Sequence, residues 1–205
     1  MNTTLESYDR SAQQLAEYFS GIGPRVDDIN RAIELWGRND NPNVIELGCG
    51  DGRDAEVIAT KASGYLGIDY SKELVRLAED RNIKCARFLV SDLTNFEYTG
   101  LQKPDIIFAF ASLLHLSLEQ NSDLLTKSYS ALSDGGVVYI SLKYAETYHT
   151  HTQIDQYGER LFYYYHPDEI TKVAGSCFEE VYRDFQQIGS TKWFTLALRR
   201  PDEEQ

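Results

Sequence analysis

Three glycines and two acids in one short stretch are the residues whose spacing most suggests chemistry. Gly48, Gly50 and Gly52 alternate within "VIELGCGDG", where Glu46 precedes them and Asp51 lies among them. Glycine has no Cβ atom, so the backbone at these positions can take positive φ angles and approach a ligand closely. An apolar run precedes the stretch and a helical pattern follows it. We therefore predict a ligand-binding turn between a strand and a helix.

A nicotinamide dinucleotide is the first ligand to consider for such a turn. Its fingerprint is G-x-G-x-x-G, with a pyrophosphate over the helix N-terminus. Here the third glycine comes one residue early, and Arg53 occupies the last position of the fingerprint. The carboxylates of Glu46 and Asp51 would also repel a pyrophosphate. They favour a ligand with a positively charged end and no phosphates, which leaves a nicotinamide-dependent oxidoreductase as the weaker alternative.

Other side chains with functional potential follow later apolar runs. Asp69 ends "YLGID", Asp92 lies in "SDL", and His115 lies in "LLHL". An acid about twenty residues after a glycine turn can accept both hydroxyls of a ribose, and a histidine can act as a base. Each residue also has a structural alternative: the acids can cap a helix or turn, and the histidine can be a polar residue at a helix start.

Regular alternation of strand and helix patterns positions these residues. The predicted strands are "VIEL", "YLGID", "KCARFLVSD", "DIIFAFA" and "GVVYISLKY". Strands that alternate with helices are typical of parallel βαβ units. Two last segments, "CFEEVYRDFQ" and "KWFTLALRR", alternate like an antiparallel hairpin. The predicted fold is α/β: a doubly wound, mostly parallel seven-stranded sheet with an antiparallel C-terminal edge hairpin and helices on both faces.

The chain reads as one domain covering residues 1–205, because it contains no repeat, low-complexity tract or linker. Apolar spacing predicts two short N-terminal helices within residues 1–40, broken by "SGIGP". Residues 144–166 form a long segment rich in Tyr and His between the fifth strand and the next helix. Insertions of this kind often determine which substrate an enzyme accepts. We therefore expect this one beside the part of the site that holds the substrate, here called the acceptor side.

Five segments resemble, in order and spacing, the class I S-adenosylmethionine-dependent methyltransferases of small-molecule type. They are "VIELGCGDG", "YLGIDYS", "FLVSDLTNF", "PDIIFAFASLLHL" and "LSDGGVVYISLKY". The resemblance covers Tyr8 to Tyr144 well and the remainder loosely. It implies a Rossmann-like sheet, S-adenosyl-L-methionine as cofactor and S-adenosyl-L-homocysteine as product. This cofactor has a cationic sulfonium and no phosphate, which agrees with the acids of the glycine turn.

The resemblance also implies which residues contact the cofactor. Glu46, Gly48, Cys49 and Gly50 would face the methionine part, and Asp69 the ribose. The residues implied for the adenine and the reacting centre are Tyr70, Ser91, Asp92, Leu93, Ala109 and Phe110. Tyr8 matches the tyrosine with which small-molecule members begin a lid over the cofactor, so residues 1–40 are expected to form that lid.

Candidates for the acceptor side are aromatic residues and one histidine. His115 and Tyr8 are the candidate catalytic residues, and the acceptor is expected to contact Tyr18, His115, Tyr144, Tyr163 and Tyr165. Aromatic rings framed by acids favour a flat or cationic small molecule over an anion. His149 and His151 lack a clear third ligand, so we predict no metal site.

Composition narrows the choice of function. A formal charge of −12 argues against nucleic-acid binding, which depends on Lys and Arg. No apolar run approaches a membrane span and no secretory signal begins the chain, so the expected location is cytoplasmic. The predicted function is methyl transfer from S-adenosyl-L-methionine to a small molecule. A non-catalytic protein that binds this cofactor and a methyltransferase of proteins or peptides are the alternatives, and the sequence predicts no oligomeric state.

Overall fold

The computed structural model describes residues 3–202. The predicted domain limits, residues 1 and 205, lie outside the described residues. The helices are α1 Thr3–Arg10, α2 Ala12–Ile22, α3 Val26–Trp36, α4 Ala55–Ala59, α5 Lys72–Asp80, α6 Leu118–Ala131 and α7 Pro167–Ala174, with a 3-10 turn at Leu113–His115. The strands are β1 Asn43–Leu47, β2 Gly64–Asp69, β3 Ala86–Val90, β4 Ile106–Phe110, β5 Val137–Lys143, β6 His149–Asp155, β7 Gly158–Tyr164, β8 Glu179–Ile188 and β9 Thr191–Arg199.

Seven strands form one sheet in the order β3-β2-β1-β4-β5-β9-β8. The first five strands pair in parallel, while β9 runs antiparallel to both β5 and β8. The predicted Rossmann-like sheet with its antiparallel C-terminal edge hairpin is therefore confirmed. The chain order reverses between β1 and β4, and doubly wound sheets bind ligands at such a point.

Each face of the sheet packs against its own hydrophobic core. On one face, Leu125 of α6 and Ile170 of α7 are fully buried against the sheet. On the other face, Ile29 of α3 and Ile58 of α4 are buried to the same degree. Both faces of the central strands are covered, which explains why β4 reads as an unbroken apolar run. Helices on both faces are as predicted.

The N-terminal region differs from the prediction of two helices, because it contains three. α1 was missed because its contact face is polar: Thr4 and Ser7 are buried in spite of their hydroxyl groups. A search for apolar periodicity cannot detect a helix of this kind.

Residues 144–166 contain a β-hairpin that forms a separate two-stranded sheet from β6 and β7. α1 lies along the free edge of β7 and bonds to two of its backbone groups, and Ser11, which follows α1, bonds to the turn before β7. Thr4 Oγ1 accepts from the Leu161 N–H at 3.0 Å, Ser7 Oγ donates to the Glu159 carbonyl at 2.8 Å, and Ser11 Oγ donates to the Tyr157 carbonyl at 3.0 Å. The unit formed by α1 and the β6–β7 hairpin, here called the cover, therefore hides an otherwise exposed strand edge.

Candidate active site

A cavity of about 330 Å³ opens at the carboxyl ends of β1, β2 and β4. The glycine turn forms its floor, and Tyr8 and Leu161 of the cover contribute to its wall. Between Thr3 and Asp202, no helix has the length and apolar character that a membrane span requires. The same part of the chain has no group of three or more His, Cys, Asp or Glu side chains arranged for a metal ion.

The glycine turn approaches its neighbours as closely as its composition predicts. Gly48 has φ +81°, and a Cβ atom there would collide with the Ser112 side chain at the end of β4. Gly50 has φ +55° and open space on the side where a Cβ would stand. Glycine at position 48 lets the turn pack closely against Ser112, and glycine at position 50 leaves room for a ligand.

Asp69 is fixed by backbone donors at the end of β2. Its Oδ2 accepts from Gly50 N–H at 2.9 Å and its Oδ1 accepts from Ser71 N–H at 2.9 Å. Burial raises the pKa of Asp69 to about 6, although these backbone hydrogen bonds oppose the shift. The carboxylate is therefore charged at neutral pH. It lines the cavity, where it can accept hydrogen bonds from hydroxyl groups of a ligand.

Glu46 is the deepest acid of the site, only 1% exposed. The Tyr65 hydroxyl donates to its Oε2 at 2.5 Å. Burial raises the pKa of Glu46 to about 8, and the charge of Asp54 adds to the shift. The carboxyl is therefore mostly protonated at pH 7, until a cation beside it favours the charged form.

The cavity extends from Asp69 past Tyr70 to the residues after β3. The Tyr70 hydroxyl is buried without a hydrogen-bond partner among the described residues. Asp92 also lines this end, and its Oδ1 accepts from the Thr94 N–H at 2.9 Å and from the Thr94 hydroxyl at 2.8 Å. Asp92 is thus also the turn cap that the sequence left open. The unpartnered Tyr70 hydroxyl and the Asp92 carboxylate lie beside buried Leu93. Together these groups suit a flat ring with polar edges, such as adenine.

Tyr8 and His115 face each other across the cavity wall. His115 Nδ1 lies 2.7 Å from the Leu161 carbonyl and therefore carries the proton, because a carbonyl oxygen only accepts. Burial lowers the pKa of His115 to about 4, so the ring is neutral at pH 7. Its Nε2 is then an acceptor, and the Tyr8 hydroxyl donates to it at 2.9 Å. Burial raises the pKa of Tyr8 to about 12, which keeps this hydroxyl protonated.

Two arginines that the sequence interpretation missed complete the wall. Arg25 lies between α2 and α3 and places its guanidinium 5.3 Å from the centre of the Phe110 ring. Arg53 follows the glycine turn, pairs with Asp54 at 2.5 Å and lies 5.8 Å from the centre of the Phe19 ring. Arg53 was visible as the last residue of the fingerprint, but no sequence pattern marks Arg25.

Most of the predicted site residues line this cavity. They are Tyr8, Glu46, Gly48, Cys49, Gly50, Asp69, Tyr70, Asp92, Leu93, Phe110, His115 and Tyr163. Burial raises the pKa of the Cys49 thiol well above its usual range, so Cys49 serves as a small residue filling a tight turn. Whether each lining residue contacts a ligand stays a prediction.

Five predicted residues lie away from the cavity lining. Ala109 is fully buried and Ser91 lies just beyond β3. Tyr18 is 54% exposed, and the Tyr144 hydroxyl bonds to Glu146. Tyr165 is buried in the core and donates to the Leu116 carbonyl, because the chain leaves the hairpin after Tyr164 and turns inward.

Comparison with known proteins gives consistent results. Residues 44–136 match a family described as a methyltransferase domain. Over 102 residues, the chain is 30% identical to trans-aconitate 2-methyltransferase of Paracidovorax citrulli, a match that covers 49% of this chain and 38% of that protein. It is 32% identical over 113 residues to phosphoethanolamine N-methyltransferase of Plasmodium falciparum, covering 53% and 41%. The matches thus span about two fifths of the length of these relatives.

Solved structures share the fold over nearly the whole chain. The N-methyltransferase NodS from Bradyrhizobium japonicum, in complex with S-adenosyl-L-homocysteine, superposes with a TM-score of 0.72 at 16% identity, covering 98% of this chain and 100% of that one. The CcbJ methyltransferase from Streptomyces caelestis gives 0.72 at 18% identity, covering 98% of each. The sheet order and these likenesses show a Rossmann-like fold shared with solved methyltransferases, and residues 44–136 are similar to a methyltransferase domain.

Proposed function

We propose that the protein transfers the methyl group of S-adenosyl-L-methionine to a small molecule held beneath the cover. The observation that carries this proposal is the composition of the cavity. Glu46 and Asp69 lie at one end, on the glycine turn and β2, and the Tyr8–His115 pair lies in the wall. The open side of Gly50 gives a ligand room between them.

The residues of the chain have separate tasks in this proposal. The cofactor supplies an already activated methyl group on its sulfonium, so the protein mainly aligns the reactants and excludes water. Glu46 would hold the ammonium of the methionine part and Asp69 the ribose hydroxyls. The cover would keep water out, since α1 bonds along the edge of β7.

His115 is the group that can take a proton from the acceptor. Its Nε2 carries the lone pair, and its Nδ1 is fixed by the Leu161 carbonyl. A protic acceptor that displaced the Tyr8 hydroxyl could donate to Nε2, and the Tyr8 hydroxyl could return when the product leaves. Such a base is required only where the acceptor must lose a proton early.

A small acceptor is favoured over a protein or peptide because the cover closes one side of the cavity. The relatives named for trans-aconitate and phosphoethanolamine support the same size class. We also propose a cytoplasmic location and no nucleic-acid partner. Unpaired Cys49, Cys85 and Cys177 support the first, and the formal charge of −12 supports the second.

Calorimetry and an acceptor screen test the proposal. S-adenosyl-L-homocysteine should bind, NAD should not, and Asp69→Ala should weaken binding of the former by at least about tenfold. Trans-aconitate and phosphoethanolamine are then incubated with S-adenosyl-L-methionine, and mass spectrometry detects any methylated product. Binding of NAD alone would overturn the proposal. Cofactor binding without product on a broad metabolite panel would favour the non-catalytic alternative.

A further inference from the structure

Two cations flank one aromatic ring next to the Tyr8–His115 pair. Lys143 ends β5, and its Nζ lies 3.7 Å from the centre of the Phe162 ring. The Arg160 guanidinium lies 5.6 Å from the same ring and 5.7 Å from that of Tyr8. Both cations act electrostatically on His115. The cationic wall, defined as Lys143 and Arg160 around Phe162, therefore borders the part of the site where the candidate base lies.

Neither cation of this wall has its hydrogen-bonding capacity filled. The Arg160 side chain is only 7% exposed and pairs with Asp155 at 2.5 Å, yet its Nε is buried without a partner in residues 3–202. Lys143 contacts the rings of Phe162 and Tyr164 and forms no ion pair with the described carboxylates. Burial lowers the pKa of Lys143 to about 8, so it remains a cation at pH 7.

The nearest acid cannot fill these positions. Asp155 is the carboxylate whose charge acts on Lys143, and it already accepts from Arg160, from Gln153 and from the Tyr157 N–H. A buried donor without an acceptor costs free energy, and a bound oxyanion that accepted from it would remove this cost.

A third cation continues the same face of the sheet. Arg25 Nη1 lies 3.5 Å from Ser141 Oγ, and Ser141 precedes Lys143 by two residues on β5, so both side chains point to one face. Arg25 Nε is also buried without a partner in the described chain. Cations thus follow the end of β5, whereas Glu46 and Asp69 lie at the ends of β1 and β2.

We propose that Lys143 and Arg160 bind an oxyanion of the methyl acceptor, a carboxylate or a phosphate, beside His115. This inference rests on the proposed methyl transfer and names the charge of its substrate. It differs from the flat or cationic acceptor that the aromatic composition favours, because Glu46 and Asp69 lie at the ends of β1 and β2, whereas Lys143 and Arg160 act on His115. Phe162 would supply a flat surface between the two charges.

Ligand titration of the protein saturated with S-adenosyl-L-homocysteine tests the proposal. Fumarate, inorganic phosphate and tetramethylammonium are added separately, and chemical shifts of His115 and of backbone amides report binding. Fumarate or phosphate should perturb His115, with the better of the two identifying the oxyanion. Lys143→Gln should weaken that binding by about tenfold and leave the affinity for S-adenosyl-L-homocysteine unchanged.

Lys192→Gln is the matched control, because Lys192 also stacks on an aromatic ring, 3.9 Å from the centre of Tyr144, but is not among the charges that act on His115. It should bind the oxyanion as the unchanged protein does. Equal weakening in both variants, binding of tetramethylammonium alone, or no effect of either anion would overturn the inference. Loss of S-adenosyl-L-homocysteine binding in the unchanged protein would instead contradict the proposed function.

Discussion

At the scale of single residues, Glu46 should make cofactor binding depend on pH. Burial raises its pKa to about 8, so the free protein holds a proton there at pH 7. A ligand ammonium beside Glu46 favours the carboxylate and expels that proton. Affinity for S-adenosyl-L-homocysteine should therefore rise as the pH increases toward about 8, because less work is needed to ionise the carboxyl.

Calorimetry in buffers of different ionisation enthalpy measures the protons released. A pH near 7.5 suits the experiment, because Asp69, with a pKa of about 6, is already ionised there. Glu46→Gln keeps an acceptor for the Tyr65 hydroxyl but has no proton to lose, so the release should fall toward zero. Equal proton release by the variant would show that Glu46 does not meet the ligand's ammonium.

His115 should matter for turnover and not for cofactor binding. In His115→Gln, the amide cannot take up a proton, so kcat should fall by roughly 10²–10⁴ if the acceptor is protic. The affinity for S-adenosyl-L-homocysteine should change by less than about threefold, because the acids proposed to hold the cofactor, Glu46 and Asp69, lie on other strand ends. Steady-state kinetics and calorimetry check the two quantities, and an unchanged kcat would remove His115 from the role of base.

Tyr8→Phe is the companion variant, since it keeps the ring and removes only the hydroxyl. The lost O–H donor stabilised the neutral form of His115, so the pKa of His115 should rise from its value of about 4. Titration of the His115 Cε1 proton signal by NMR measures the shift. A pKa that stays in place would mean that the hydroxyl does not donate to Nε2 in solution.

At the scale of elements, contact between α1 and β7 should control how long the cofactor stays bound. Gly158 begins β7 with φ +104°, and a Cβ there would collide with Ser7 Oγ and lie 2.6 Å from Arg10 Nη2. Gly158→Ala should push α1 off the strand edge. We expect dissociation of S-adenosyl-L-homocysteine to accelerate by about tenfold and amides of α1 to exchange faster with solvent.

Gly189→Ala controls for backbone strain. Gly189 has φ +58° in the turn between β8 and β9, where a Cβ would meet nothing within 4 Å. It therefore carries the penalty of a left-handed conformation without a collision at the cover. If both variants lost the cofactor equally fast, general destabilisation and not the cover would be responsible.

The same elements show what sequence patterns can and cannot predict. The sequence predicted that the glycine turn and Asp69 lie in one site, because both directly follow or end a strand and are close in the chain. α1 was missed because its partners are backbone groups of β7, more than a hundred residues away in the chain. Tyr165 was placed with Tyr163 by strand alternation, but the core accepts its ring where β7 ends.

Charges on the acceptor side were also beyond local patterns. Arg25 reaches the face of the sheet that carries Lys143 only because α3, which follows Arg25, packs against β4 and β5. Composition counts the acids of the chain without showing that Glu46 and Asp69 line one cavity. The sign of the acceptor's charge therefore depends on tertiary placement, which residue counts do not contain.

At the scale of the whole molecule, the predicted single domain should unfold as one cooperative unit. Ile29 of α3 is fully buried in the core that also contains Phe108 of β4. Ile29→Ala should lower the free energy of unfolding by about 2–5 kcal/mol, because it leaves a cavity in that core. The melting temperature should fall by about 2–4 °C for each kcal/mol lost.

The two tryptophans allow each region to be followed separately. Trp36 ends α3 and Trp193 lies in β9, so Trp36→Phe leaves a reporter on the sheet and Trp193→Phe leaves one on the N-terminal helices. In a single domain, Ile29→Ala should shift both fluorescence transitions together, while Ile154→Ala, at a side chain 76% exposed, should shift neither. An early transition seen by Trp36 alone would mean that the N-terminal helices unfold independently of the sheet. Coincident transitions would show that the N-terminal helix α3 and the sheet share one folding equilibrium.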